Sequence, residues 1–225
     1  MEALKGDDNQ EIRGFIAVQP QEVIDAFQTL SLNLITEAYT DLKSAQAFSV
    51  SPDEVKISIA LVTVLKNIIE KEYLPCSVIW EFYELTDEII AGKVKHTKAK
   101  KYDFYFENWN VETRIGLGIE AKLLSENNCK GKNAGTLIKE YVSDKGMGKY
   151  INHIYKKRGF MLGYIIEGNV SAIVIKINEQ IEAALNKEQC ITENNDAKYS
   201  HKEIYISKHP GKLNYDLYHL MLDFN

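Results

Sequence analysis

Cysteine is scarce: Cys76, Cys129 and Cys190 are the only three in 225 residues, far apart and odd in number. A disulfide-built scaffold is excluded, and without a CxxC pair a zinc ribbon or finger is not expected. Such thiols fit a reducing compartment. No apolar run approaches about 18 residues, so no membrane-spanning helix is expected. The opening MEALKGDDNQ has no apolar stretch, so no signal peptide is expected either, and the chain reads as cytoplasmic. Walker A, GxSxG, HExxH and GxGxxG patterns are all missing. Nucleotide hydrolase, serine hydrolase, zincin and Rossmann readings therefore lack support. Internal repeats and low-complexity tracts are missing too. What is present is ordinary for a globular chain: 45% hydrophobic and 26% charged residues. The length suits one domain with a small appendage, here a helical lead-in over 1–50 and a main domain over 51–225.

The net charge of −5 hides an asymmetry. Residues 1–90 carry 16 acidic and 6 basic side chains. Residues 130–158 carry eight basic ones (Lys130, Lys132, Lys139, Lys145, Lys149, Lys156, Lys157, Arg158) against Glu140 and Asp144. KVKHTKAKK at 93–101 adds five lysines. Local basic fields on an acidic protein attract polyanions to one face.

Periodicity places the elements. Val23, Ile24, Phe27, Leu30 and Leu34 are spaced as a helix face over 22–44. Ser51, Pro52 and Glu54 predict the next helix start, with Ser51 as N-cap, Pro52 at the first position and Glu54 closing a capping box. That helix runs to Lys71 with two apolar stripes, as if buried on more than one side. SVIWEFYEL (77–85) reads as a strand. KYDFYFENW (101–109) and TRIGLGIEAKLL (113–124) alternate as two further strands, close enough to form a hairpin. Tyr102, Phe104 and Phe106 are expected on one side of the first, Asp103, Tyr105 and Glu107 on the other. A helix over 136–157 with a break at Gly146–Gly148, a strand at 158–168, a helix from Asn169 to Lys187, and strands at 203–208 and 215–224 complete the pattern. The order predicts an α/β protein with a mixed sheet flanked by helices in three layers.

The informative segment is Asp103, then 16 residues, then Glu120-Ala121-Lys122. A strand period of two puts Glu120 and Lys122 on one face. In a hairpin, Asp103 lies beside them. Two carboxylates and an amine at one sheet edge suit Mg²⁺, a hard cation that takes oxygen ligands and keeps several waters. Acid-x-Lys occurs four times in the chain. Only Glu120–Lys122 lies in an alternating strand just after another strand bearing a carboxylate. Gly116 and Gly118, on the same face, leave room for a ligand or backbone. Among the histidines, His153 reads as a surface residue, His209 as a turn residue and His219 as a satisfied core residue.

With YD, 16 residues, then EAK, the chain resembles the PD-(D/E)XK nuclease superfamily, which includes many restriction endonucleases. The order helix, three strands, helix, strand over 51–168 is similar to that family's core. Tyr102 stands where the family often has proline. The resemblance implies a restriction endonuclease-like fold with Asp103, Glu120 and Lys122 as the catalytic set. It adds Glu54 as the helix glutamate and the Ala121 carbonyl as a metal ligand beside Asp103 and Glu120. It implies a Mg²⁺-dependent endonuclease, with Mn²⁺ able to substitute, that cuts DNA in restriction or phage defence. Lys132, Lys149, Lys156, Lys157 and Arg158 would track the phosphate backbone, helped by Lys95, Lys98, Lys100 and Lys101. The alternative is an inactive member that binds nucleic acid or protein beside a helicase or ATPase partner. A homo-oligomer is open in either case. A structural or adaptor role is favoured if another segment covers the face bearing Glu120 and Lys122.

Overall fold

The computed structural model describes residues 21–45, 53–109 and 115–225. Helix α1 (Gln21–Ser44) buries Phe27, Leu34, Ala38 and Leu42 on one stripe and Leu32, Ile35 and Tyr39 on the next. Helix α2 (Glu54–Lys71) packs against it. Its buried face is one broad stripe: Ile57, Leu61, Leu65 and Ile68, flanked by Val62 and Ile69. Val55 and Ile59 face solvent, so α2 is buried on one side and not on two. The expected cap residues Ser51 and Pro52 lie outside the described residues. The cap observed is Asp53, whose side chain accepts from the Val55 N–H at 3.0 Å. The helix thus begins at Glu54, which frees that carboxylate from a capping box.

Seven strands form one sheet: β1 (Cys76–Glu84), β2 (Lys100–Asn108), β3 (Gly116–Ser125), β4 (Gly159–Glu167), β5 (Thr192–Glu193), β6 (Ile204–Ser207) and β7 (Leu217–Asp223). Their order is β1-β2-β3-β4-β7-β6-β5. The pairs β3–β4 and β4–β7 are parallel and the rest antiparallel. β4 is central and covered on both faces, which is why RGFMLGYIIEG is a continuous apolar run without alternation. Short α3 (Asp87–Ile90) lies between β1 and β2. The segment from β3 to β4 carries α4 (Ala134–Val142) and α5 (Gly148–Ile151), with the expected break at the glycines between them. α6 (Val170–Ala184) follows β4. The described residues thus form a mixed α/β protein with a seven-strand mixed sheet and six helices.

Helices α1 and α2 share one core with one face of the sheet. Helices α4, α5 and α6 share a second core with the other face. The α1 stripe is integral to the first core. Among the described residues no helix is long and apolar enough to cross a membrane.

Beside a register shift at Leu124–Ser125, the strands depart from simple alternation where β1 pairs with β2. Trp80, Phe104 and Phe106 pack with the α1–α2 core, whereas Phe82 and Tyr102 pack with the α4–α6 core. The pairing runs Trp80↔Phe104 and then Phe82↔Tyr102, and Glu81 between them takes a left-handed φ of 53°. A kink at Glu81 and Asp103 thus turns both strands over. Tyr102 and Tyr105 fall on the face opposite Phe104, and their rings fill the space over Gly118 and Gly116. A Cβ on Gly118 would meet the Tyr102 ring at 2.2 Å. The room on that face therefore goes to packing and not to a ligand.

Candidate active site

The β2–β3 ladder ends at Phe104↔Ile119, one residue before Asp103 and Glu120. Beyond that point β3 continues along β4 without β2 at its side. Its exposed backbone donors need partners. Two carboxylates supply them. Asp103 Oδ2 accepts from the Ala121 N–H at 2.9 Å, and Glu54 Oε2 accepts from the Leu123 N–H at 3.3 Å. The splay that opens the sheet thus places both acids at the start of α2 and the kink of β2. The N-terminus of α2 faces this opening, so its partial positive charge favours the carboxylates gathered there.

Glu120 and Lys122 leave β3 on the face of the second core. The Lys122 ammonium lies 2.7 Å from Glu120 Oε1, 3.5 Å from Glu54 Oε1 and 3.6 Å from Asp103 Oδ2. It also donates to the Ala121 carbonyl at 2.6 Å. Burial opposes its charge, but the Glu120, Asp103 and Glu54 carboxylates outweigh burial and hold it well above the usual lysine range. For Glu54 the balance is reversed. Burial raises its carboxyl above the usual range against the pull of Lys122, with Asp103 and Glu120 adding to the rise.

Two site residues come from the loop side of the second core. Lys149 of α5 donates to Glu120 Oε1 at 2.6 Å and to the Tyr155 hydroxyl at 3.0 Å. The Tyr155 hydroxyl reaches the Lys101 carbonyl at 2.6 Å and also Glu120 Oε2. Burial first, then the Glu120 carboxylate, pushes the Tyr155 phenol far above its usual range. Glu120 is therefore fully covered, while Glu54, Asp103 and Lys122 reach solvent in part. The sequence reading puts Lys149 among the cations that track phosphate and gives Tyr155 no part. The aromatic and basic run KYINHIYKKRG over 149–159 is the local signal for both.

The other basic residues separate. Lys156 and Lys157 are exposed, and the Lys157 N–H donates to the Tyr102 hydroxyl at 3.3 Å, which sets this turn beside the site. Lys132 lies in the Cys129–Lys132 turn before α4. Lys95 and Lys98 are exposed ahead of β2, and Lys100 and Lys101 begin it. Arg158 turns away: it pairs with Asp25 at 2.7 Å, donates to Gln28 at 2.9 Å and covers the Tyr215 ring. It holds α1 to the sheet and is not presented to a duplex.

Glu54, Asp103 and Glu120 against Lys122 and Lys149 leave one formal negative charge in excess. Among the described residues no group of three or more His, Cys, Asp or Glu side chains is disposed to hold a metal ion. Lys122 stands among the carboxylates instead. In kind, the donors fit a hard divalent cation: the Asp103, Glu120 and Glu54 oxygens and the Ala121 carbonyl. In position, they require both ammonium groups on Glu120 Oε1, Lys122 and Lys149, to yield that oxygen. Comparisons with protein-family models, with curated proteins and with solved structures found no match.

Proposed function

We propose that this protein is a Mg²⁺-dependent phosphodiesterase that cleaves DNA on a restriction endonuclease-like fold. One observation carries the reading. Asp103, Glu120 and Glu54, from three separate elements, lie within 4 Å of the Lys122 ammonium where the β2–β3 pairing ends. An antiparallel pair followed by a parallel third strand, with an acid-bearing helix N-terminus at the splay, supports the same fold.

A bound divalent cation would acidify a water and offset charge on the phosphate. The chain's own residues do the rest. The Ala121 and Leu123 N–H groups hold Asp103 and Glu54 in place. Lys122, tied to the Ala121 carbonyl, orients the attacking water and neutralises a phosphate oxygen. Lys156 and Lys157, with the exposed lysines of 93–101, track the phosphate backbone without reading sequence. Mn²⁺ substitutes for Mg²⁺. Such a nuclease would work in the cytoplasm in restriction or phage defence, as a homo-oligomer or beside a helicase or ATPase.

The test is incubation of the purified protein with plasmid and single-stranded DNA, with Mg²⁺, Mn²⁺ or EDTA. Metal-dependent cleavage that disappears in Glu120→Gln and Lys122→Met is the expected result. A second reading, a non-catalytic structural or adaptor protein, is favoured by the complete cover over Glu120. Folded protein with neither cleavage nor DNA binding under any of these conditions would select it.

A further inference from the structure

We propose that Lys149 is a second cation of the reaction centre, one that contacts the phosphate undergoing cleavage, and that Tyr155 positions it. The inference rests on the phosphodiesterase reading above. It separates Lys149 from Lys156 and Lys157, which are placed to follow the duplex.

The platform is rigid. Gly146 and Gly148 let the chain turn tightly after α4, since a Cβ on Gly146 would sit 2.1 Å from the Tyr141 carbonyl oxygen. The next residue after Lys149 anchors the turn. Tyr150 is buried, and its hydroxyl reaches the Gly118 carbonyl at 2.8 Å and the Phe160 carbonyl at 3.0 Å. It thereby spans β3, the strand that carries Glu120, and its neighbour β4. Lys149 is thus fixed over the β3–β4 seam and is not free to sweep the surface.

Its head group is placed by two partners, Glu120 Oε1 at 2.6 Å and the Tyr155 hydroxyl at 3.0 Å, with the Tyr155 ring centre 5.1 Å away. An ammonium has three N–H donors, so these two bonds leave one for a phosphate oxygen. The side chain keeps 23% exposure while Glu120 keeps 1%, so Lys149 is the part of this pair that an incoming anion meets. A single oxygen, Glu120 Oε1, now carries both the Lys149 and the Lys122 ammonium. A divalent cation held by that carboxylate would free donor capacity on both lysines, which an anionic phosphate could take up. By contrast, Lys145 is far more exposed and pairs with Glu140.

The experiment compares wild type, Lys149→Gln, Lys149→Arg and Tyr155→Phe, with Lys145→Gln as control. Single-turnover cleavage is measured with Mg²⁺, and affinity for a duplex is measured by anisotropy without a divalent cation. Lys149→Gln should slow the single-turnover step about 100-fold, the usual loss for one preorganised donor. It should weaken metal-free binding about threefold. Lys149→Arg should recover most of the rate. Tyr155→Phe should slow the rate about tenfold through misplacement while affinity changes less. Cleavage and affinity of Lys149→Gln indistinguishable from Lys145→Gln would overturn the proposal and leave the phosphodiesterase reading standing. Absence of cleavage in wild type sinks that reading, and equal metal-free affinity in Lys149→Gln and wild type then sinks this one as well. Should Lys149→Gln fail to fold, Lys149→Arg and Tyr155→Phe decide. Both matching wild type in rate and affinity is the overturning result.

Discussion

Two clusters of polar side chains lie within the second core, and burial has driven them in opposite directions. At the edge of β3, Glu120, Lys122 and Lys149 remain a set of ions, with Asp103 and Glu54 alongside. Between β6, β7 and α4, His219, Ser207, His209 and Tyr141 form a neutral chain. Burial holds His219 down at about 3, with His209 adding to the effect, and burial holds His209 at about 4. The bonding has one self-consistent direction. Tyr141 donates to His219 Nδ1 at 2.9 Å, and His219 Nε2–H donates to Ser207 Oγ at 2.8 Å. Ser207 then donates to His209 Nε2 at 2.8 Å, and His209 Nδ1–H donates to Gln189 at 3.3 Å. With both rings neutral, this arrangement satisfies every imidazole nitrogen. Desolvation is common to both clusters. What differs is the supply of opposite charge, three carboxylates around Lys122 and no carboxylate bonded to His219. An ion survives burial where counter-charges surround it.

The largest expected contrast is in activity. Lys122→Met should reduce cleavage at least about 1,000-fold, whereas His219→Phe should leave the cleavage rate at neutral pH unchanged. A supercoiled-plasmid assay on both variants checks this. Equal losses would mean that the two clusters form one functional unit.

Stability should follow a different pattern. His219→Phe strips partners from Tyr141 and Ser207 and should cost about 3 kcal/mol, read as a lower urea midpoint. Lys122→Met should cost a similar amount, since it leaves Lys149 as the one cation paired with Glu120 and three carboxylates with too little positive charge. An unchanged midpoint in His219→Phe would show that the neutral chain contributes nothing net.

A pH series sharpens the comparison further. Both histidines have folded values below the ordinary 6.5, so the unfolded chain binds more protons between about pH 6.5 and 4. The stability they confer is fully present above pH 6.5 and is lost as pH falls toward 4 and then 3. At pH 5 the loss should be on the order of 2 kcal/mol per histidine. Urea unfolding at pH 7.5 and 5.0 measures it, and His219→Phe should reduce the difference. A pH-independent midpoint across this range would contradict the assignment of two neutral rings.

The smallest effect concerns the surface cations. Lys156→Ala with Lys157→Ala should flatten the salt dependence of DNA binding by about 1.8 in log–log slope, two phosphates at about 0.9 each. Arg158→Ala should leave that slope alone and lower stability by about 1 kcal/mol through its loss from Asp25 and Gln28. Anisotropy titrations at several salt concentrations separate the two. A slope change in Arg158→Ala would place it on the duplex after all.

Much of this molecule could be read from residue order. The strand at 101–109, the Asp103 to Glu120-x-Lys122 spacing, the glycine break after α4 and the core role of His219 all follow from local rules. The face on which each side chain lies did not follow wherever the backbone kinks. Tyr102 and Phe104 share parity in the sequence, yet pack in different cores because Glu81 and Asp103 turn the strands over. Glu54 had two readings, cap or site acid. The observed start of α2 at Glu54, with Asp53 as its cap two residues past the expected Ser51, settled that this carboxylate goes to Leu123 and Lys122. One of the two apolar stripes expected to be buried on α2 begins with Val55 and Ile59, and both face solvent, since apolar residues on a helix do not reveal how many neighbours it has.

By itself the sequence determined where the longer strands and helices run, because periodicity and capping act over a few residues; the short α3 and the two-residue β5 were not legible in it. It also determined that Glu120 and Lys122 leave the sheet together, because strand period is local. Only the tertiary structure decided the partners of those two. Lys149 is 29 positions from Glu120, and Tyr155 is 35. Their meeting depends on α4, the glycine turn and the parallel seating of β4 on β3. The division of the basic run was decided there too. Lys156, Lys157 and Arg158 are adjacent in sequence, but Arg158 enters β4 with Asp25 and Gln28 of α1 within reach, while its neighbours stay in the turn. Charge type is local, but the counter-charge that a buried ion requires is supplied across the fold.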